Sequence, residues 1–166
     1  MYRAIDYALE VNKRDGEHVL MSLTYICKNA SEDNGILLAR TLEYWRRTNA
    51  KIAITSALVI NDSYFVQNIE GSRPVINKVL EILINQYTNF SLHVVDVEEI
   101  EDRRWNGFLI KYLTPSVQDE EYIKKNFSSG SEFNPYLMTK NQITGLIQDI
   151  FEVQESSESE NDNISE

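Results

Sequence analysis

The chain has 166 residues, 42% hydrophobic and 25% charged, the proportions of one globular domain with short additions at its ends. A net charge of −10 argues against nucleic acid as a direct partner, because phosphate binding needs a basic surface. The single cysteine, Cys27, excludes an internal disulfide. No apolar run reaches the ~20 residues of a membrane span, and the N-terminus lacks the apolar core of a signal peptide, so a cytoplasmic location without membrane attachment is expected.

Residues 1–20 carry a short helical pattern (Ile5, Ala8, Leu9) broken near Asp15-Gly16, and read as an N-terminal extension. An apolar stretch opened by Met21 predicts a first strand over Leu23–Cys27. A helix over Asn34–Arg47 follows, with Ser31 or Asp33 as cap and Leu38, Leu42 and Trp45 at helical spacing. Lys51–Ile60 is rich in β-branched residues and reads as a buried strand, and Asn61-Asp62-Ser63 is a turn signal that makes residues 51–70 a hairpin.

In the returning strand Tyr64, Val66, Asn68 and Glu70 face one way, and Phe65, Gln67 and Ile69 the other. Ser72 is the expected cap of the next helix, Pro74 is tolerated in its first turn, and Val75, Val79, Leu80, Ile82 and Leu83 form its apolar face. Phe90–Val97 and Phe108–Leu113 are further strands. The order β-α-β-β-α-β-β predicts an α+β, ferredoxin-like sheet with two helices on one face.

Beyond the sheet lie two helical segments, Asp119–Asn126 and Thr139–Val153. The second has Thr139 as cap and a stripe of Ile143, Leu146, Ile147 and Ile150. Residues 155–166 hold five acidic residues and no basic one, which predicts a disordered tail. The expected organisation is thus an extension (1–20), a core domain (21–114), C-terminal helices (115–153) and an acidic tail (154–166).

Familiar catalytic chemistry is missing from this pattern. His18 and His93 stand far apart with no second ligand at metal spacing, so no metal site is expected. His18 is expected to be exposed, and His93 to be an edge or packing residue. Cys27 lies in an apolar strand and reads as an inert thiol. No phosphate-binding glycine loop, nucleophile elbow or paired-carboxylate motif occurs, and Arg103-Arg104 beside Glu99, Glu101 and Asp102 reads as a solvated charge cluster. No catalytic residues are assigned, and the protein is expected not to be an enzyme.

Polar side chains at core positions carry the functional signal. Gln67 shares a strand face with Phe65 and Ile69, and a buried amide needs partners for two donors and an acceptor. Tyr25 in the first strand and Asn49 at the start of the second bring a phenol and a second amide to the same sheet. Each alone has a structural explanation: an amide satisfied within the core, a tyrosine with its hydroxyl at the rim, a helix-capping asparagine. Together they suit the C=O/N–H edge of a flat heterocycle.

The pattern resembles the BLUF family of blue-light sensors that use flavin adenine dinucleotide, over residues 21–113. Leu23-Thr24-Tyr25-Ile26-Cys27 is similar to the strand with the family's photoactive tyrosine. Thr48-Asn49 through Ile54-Thr55 is similar to its Asn-x-x-x-Gly-Ile-Thr-Gly segment, and Phe65-Val66-Gln67-Asn68-Ile69-Glu70-Gly71 to its Phe-x-Gln-x-Leu-Glu-Gly motif, the most specific of the three. Phe133-Asn134-Pro135 through Thr139 and Gln142 resembles the C-terminal part of stand-alone short members.

The resemblance implies FAD as cofactor, with FMN or riboflavin as alternatives, held by Tyr25, Asn49 and Gln67 between the two helices. It implies that Tyr25 and Gln67 are the photoactive pair. Light moves an electron and proton from Tyr25 to the flavin and back, leaving Gln67 in a rearranged hydrogen-bonding state that shifts absorption to the red. Phe108 and Ile110 stand at the positions expected to relay the signal. A homo-oligomer and a separate effector protein are the implied partners, contacted through the fifth strand and C-terminal helices.

The chain departs from the family pattern at three places. Gly-Ile-Thr-Gly stands as Ala53-Ile54-Thr55-Ser56, Asp-x-Arg-His as Asn85-Gln86-Tyr87-Thr88, and Trp-x-Met as Phe108-Leu109-Ile110. The second removes cationic hydrogen-bond donors expected near the flavin side chain. The alternative reading is a flavin-free interaction module derived from the same family.

Overall fold

The computed structural model describes residues 18–28, 47, 53–86, 91–113 and 133–162. The strands are β1 (Leu20–Lys28), β2 (Thr55–Ile60), β3 (Tyr64–Ser72), β4 (His93–Ile100) and β5 (Phe108–Tyr112). They form one sheet in the order β4-β1-β3-β2-β5. Every neighbouring pair is antiparallel except β2 and β5, which are parallel. Helix α1 (Arg73–Gln86) follows β3, and a short 3-10 turn at Pro135–Leu137 leads into helix α2 (Lys140–Asp162). The fold is α+β and ferredoxin-like, as the order of sequence patterns predicts. The predicted helices over 34–47 and 119–126, apart from Arg47, and the predicted N-terminal helical pattern lie outside the described residues.

Local chemistry explains the hairpin. The Asn61 side-chain carbonyl accepts from the backbone N–H groups of Ser63 (2.9 Å) and Tyr64 (2.7 Å), and the Asn61 N–H donates to the Tyr64 carbonyl (2.9 Å). An asparagine that binds the backbone two and three residues on is a built-in turn. The helix that follows starts differently from expectation. Ser72 ends β3, and its Oγ has no hydrogen-bond partner, so it does not cap α1. Instead the Arg73 N–H is bound by the Val19 carbonyl (2.9 Å), which ties the helix start to the chain entering β1.

Apolar residues cover both faces of the sheet. On one, Leu23, Leu58, Phe65 and Ile69 pack against Val75, Ile76 and Leu83 of α1. On the other, Ile26, Ala57, Val59 and Val66 pack against Ile143, Leu146, Ile147 and Phe151 of α2. Each such fully buried side chain contributes about 1.5–3 kcal/mol of transfer free energy, so the C-terminal helix is part of the core.

Helix α2 begins in a reciprocal cap. The Thr139 hydroxyl accepts from the Gln142 N–H (3.3 Å), while the Gln142 side-chain carbonyl accepts from the Thr139 N–H (2.9 Å). The helix continues to Asp162, past the Val153 end expected from the stripe and into the stretch expected to be disordered. A helix nucleated by its docked first turns avoids the cost of a new nucleus and adds one hydrogen bond for each further residue. Strand β4 also differs, running three residues later than Phe90–Val97. It is an edge strand with mostly exposed or half-exposed residues, so Glu98 and Glu99 are tolerated in it and alternation gives a weak boundary signal. Its register against β1 shifts between Thr24 and Tyr25, a bulge beside the candidate tyrosine.

Candidate functional site

Antiparallel pairing of β1 and β3 sets Tyr25 directly opposite Gln67, and the pairing of β2 and β3 sets Leu58 on the other side of the amide. Tyr25 and Gln67 are each about 1% exposed, on the sheet face that carries α1. The Tyr25 hydroxyl donates to Gln67 Oε1. The phenol ring is fixed edge-on against Phe65, with centroids 6.2 Å apart and planes at 84°.

Gln67 Nε2 is buried and has no hydrogen-bond partner. An unmatched amide donor in an apolar core costs about 1–3 kcal/mol. Leucine would fill the position without that penalty. The fold therefore presents a hydrogen-bond donor, oriented by Tyr25, toward the apolar layer between sheet and helix. A flavin's C4=O/N5 edge is an acceptor of the matching kind, so the residues present fit that group. Asn49, the other expected ligand, lies outside the described residues. Phe108 and Ile110 lie on β5, paired with Ser56 and Leu58 of β2, so one strand separates them from Gln67. Phe108 packs on the α1-side core, whereas Ile110 is 37% exposed.

The opposite face of β3 holds polar groups whose role the alternation pattern did not reveal. Asn68 donates to the hydroxyls of Ser22 and Thr24 (2.8 Å each) and accepts from the Trp105 indole N–H (2.8 Å). Glu70 is fully buried; its carboxylate accepts from the Arg104 N–H (3.1 Å), the Arg104 Nε (3.3 Å), the Trp105 N–H (3.3 Å) and the Thr55 hydroxyl (3.2 Å). Arg103 donates to the Ala53 carbonyl (2.6 Å), the Glu70 carbonyl (3.0 Å) and Thr55 Oγ1 (2.9 Å). Arg103-Arg104 is thus a clamp that fastens the β4–β5 loop to β3, while both arginines, like Glu99, Glu101 and Asp102, remain exposed, as expected of a solvated charge cluster. The available signal was the apolar stripe of α2, which implied a second covered face.

Other groups take structural positions. Burial pushes the Cys27 thiol up to about 12, as expected of an inert thiol. Tyr136 donates to the Ser91 carbonyl (2.6 Å) and packs on Tyr64 and His93, with centroids 5.8 and 5.1 Å away. Burial is the main cause that raises its hydroxyl to about 12, with the neighbouring Cys27 and Tyr64 adding to it. Among the described residues no group of His, Cys, Asp and Glu could hold a metal ion. None of the described helices is long and apolar enough to cross a membrane.

A family model described as BLUF, sensors of blue light using FAD, matches residues 20–111. The chain belongs to the BLUF family. Among solved structures it is similar to the BLUF protein BlrB in its dark state, at 22% identity over 66% of this chain and 79% of that one, with a TM-score of 0.54. It is similar to BlsA in a photo-activated state at 19% identity, over 78% of this chain and 93% of that one, with a TM-score of 0.63. A bacterial light-regulated adenylyl cyclase aligns with 84% of this chain and 36% of its own, at 19% identity and a TM-score of 0.54. At these identities the likeness concerns the BLUF fold. No curated protein sequence matches the chain.

Proposed function

We propose that this BLUF protein is a blue-light photoreceptor that binds FAD, or FMN or riboflavin through the same ring, and switches through Tyr25 and Gln67. The observation that carries the proposal is the buried Tyr25–Gln67 hydrogen bond with Gln67 Nε2 unpartnered beside it. When bound, the flavin supplies the blue-light absorption and an excited state able to take an electron.

The chain's own groups do the rest. The Tyr25 hydroxyl is the proton source and the site to which the proton returns. Gln67 Oε1 holds that hydroxyl in place, and Gln67 Nε2 is the donor for the ring's polar edge. Loss of the Tyr25 proton removes the bond that holds the amide, so the amide is free to rearrange. In an apolar surrounding such a change is strongly felt, because no water screens it. Asn49 is proposed as a second contact to the ring, and Phe108 and Ile110 as the relay toward the outer edge of β5.

Signalling is proposed to pass to a separate effector through protein contacts, from a homo-oligomer and without enzymatic turnover in this domain. The fusion of a similar fold to an adenylyl cyclase supports an output carried by another polypeptide segment. The test is reconstitution with FAD followed by absorption in darkness and under blue light. A reversible red shift that is lost in Tyr25→Phe and in Gln67→Leu, with flavin still bound, is expected. Protein that binds FAD with no light response would overturn the switch, and protein that stays colourless would favour the flavin-free module. Light scattering in both states tests the oligomer, which a monomeric mass would refute.

A further inference from the structure

Gln67 is not the only side chain that is both buried and unmatched on this face. Ser56 is 0% exposed and its Oγ has no hydrogen-bond partner. It lies on β2 opposite Ile69 of β3 and Phe108 of β5, and two residues before Leu58, which faces α1. By the two-residue period of a strand, Ser56 presents its hydroxyl to the same side as Gln67. The two are diagonal neighbours on adjacent strands, a relation that puts Cα atoms about 7–8 Å apart. Ser72 also has an unmatched hydroxyl, but it sits half-buried at the end of β3. Ser56 is the one enclosed among Ile69, Phe108 and Leu58.

An isolated hydroxyl in a fully buried strand position is a standing penalty that Ala or Gly avoids. Serine here stands where the Gly-Ile-Thr-Gly pattern has its last glycine, so the hydroxyl is an addition to that pattern. Two unmatched polar atoms on one face of an apolar layer, close enough to reach a common group yet not bonded to each other, await the same external partner.

We infer that Ser56 is a ligand-contact residue, whose hydroxyl bonds the polar edge of the bound isoalloxazine alongside Gln67 Nε2. This rests on the flavin reading above and extends it to Ser56, a position where the family pattern has a glycine with no side chain. The ligand class is an aromatic heterocycle with two acceptor atoms on one edge. Ser56 Oγ–H and Gln67 Nε2–H are the paired donors. Binding satisfies both atoms at once, so the hydroxyl destabilises the free protein and stabilises the complex.

That opposition of signs gives the test. Purified wild type, Ser56→Ala and Ser56→Gly are titrated with FAD by fluorescence quenching and melted with and without FAD. Without FAD, Ser56→Ala is expected to melt at or above the wild-type temperature, because it deletes an unmatched group. With FAD, its dissociation constant is expected to rise on the order of fivefold, the equivalent of one hydrogen bond, and the FAD-induced rise in melting temperature to shrink. Ser56→Gly, which lacks the hydroxyl and the methyl, should show the same loss of affinity. Affinities within twofold of wild type in both variants would overturn the inference while leaving the photoreceptor reading in place. Wild-type protein that takes up no FAD would overturn that reading and this inference together.

Discussion

Replacing Trp105 by phenylalanine separates two contributions that meet on the face of β3 opposite Gln67. The indole N–H donates to Asn68 Oδ1 at 2.8 Å, and the ring stacks edge-on against Phe151 of α2 with centroids 5.8 Å apart. Trp105→Phe retains an aromatic ring and removes the donor, leaving the Asn68 oxygen at 2% exposure without it. The expected loss is about 1–3 kcal/mol. Asn68→Ala removes the acceptor and also the bonds to Ser22 and Thr24, so its loss should be larger, on the order of 2–4 kcal/mol. In the double variant the Trp105 contribution is already gone, so the two losses should overlap by about 1–2 kcal/mol. Urea denaturation of the four proteins, kept dark throughout, measures that coupling. Losses that add to within about 0.5 kcal/mol would refute the claim that Asn68 and Trp105 lock the β4–β5 loop to the strand carrying Gln67.

Further expectations follow from single positions. Ala53 has φ +50°, in the left-handed region, where a side chain costs about 1–2 kcal/mol. Part of that gain is offset by the freedom of glycine in the unfolded chain, so Ala53→Gly should raise the melting temperature by about 1–4 °C, and no rise would contradict the strain. Cys27, with its thiol pushed up to about 12, should resist iodoacetamide at pH 8 until the protein is unfolded; rapid labelling of the native protein would show the strand to be open. The Tyr136 hydroxyl is raised from 10.0 to about 12 in the fold, chiefly by burial, so the stability tied to its protonated form is intact below pH 10. That stability should be lost as pH rises through about 12, and Tyr136→Phe should flatten the fall in melting temperature over that window.

The elements with strong local chemistry were legible from the chain alone. The Asn61 turn, the Thr139–Gln142 cap and the α2 stripe depend on neighbours in sequence, and each forms as its residues dictate. Gln67 was legible as an amide on an apolar face, and the family motif linked it to Tyr25 across 42 residues. Groups whose partners come from distant strands were not. Asn68 and Glu70 alternate with apolar residues as solvent-facing positions do, and only the folding of α2 and the β4–β5 loop over them makes them buried. Ser72 had the right residue type for a cap, but its hydroxyl makes no bond to α1. Edge strand β4 lacks a core-facing pattern strong enough to fix its ends. Local preference sets where elements start, and long-range packing decides which polar side chains become part of a site.

The most direct test of the Tyr25–Gln67 switch is a light-minus-dark absorption spectrum of the FAD-reconstituted protein beside its Tyr25→Phe variant. The expected result is a reversible red shift of the flavin band in the wild type and none in the variant, with equal flavin content. A flavin-loaded wild type whose spectrum does not change under blue light, or a Tyr25→Phe variant that shifts as the wild type does, would contradict the account.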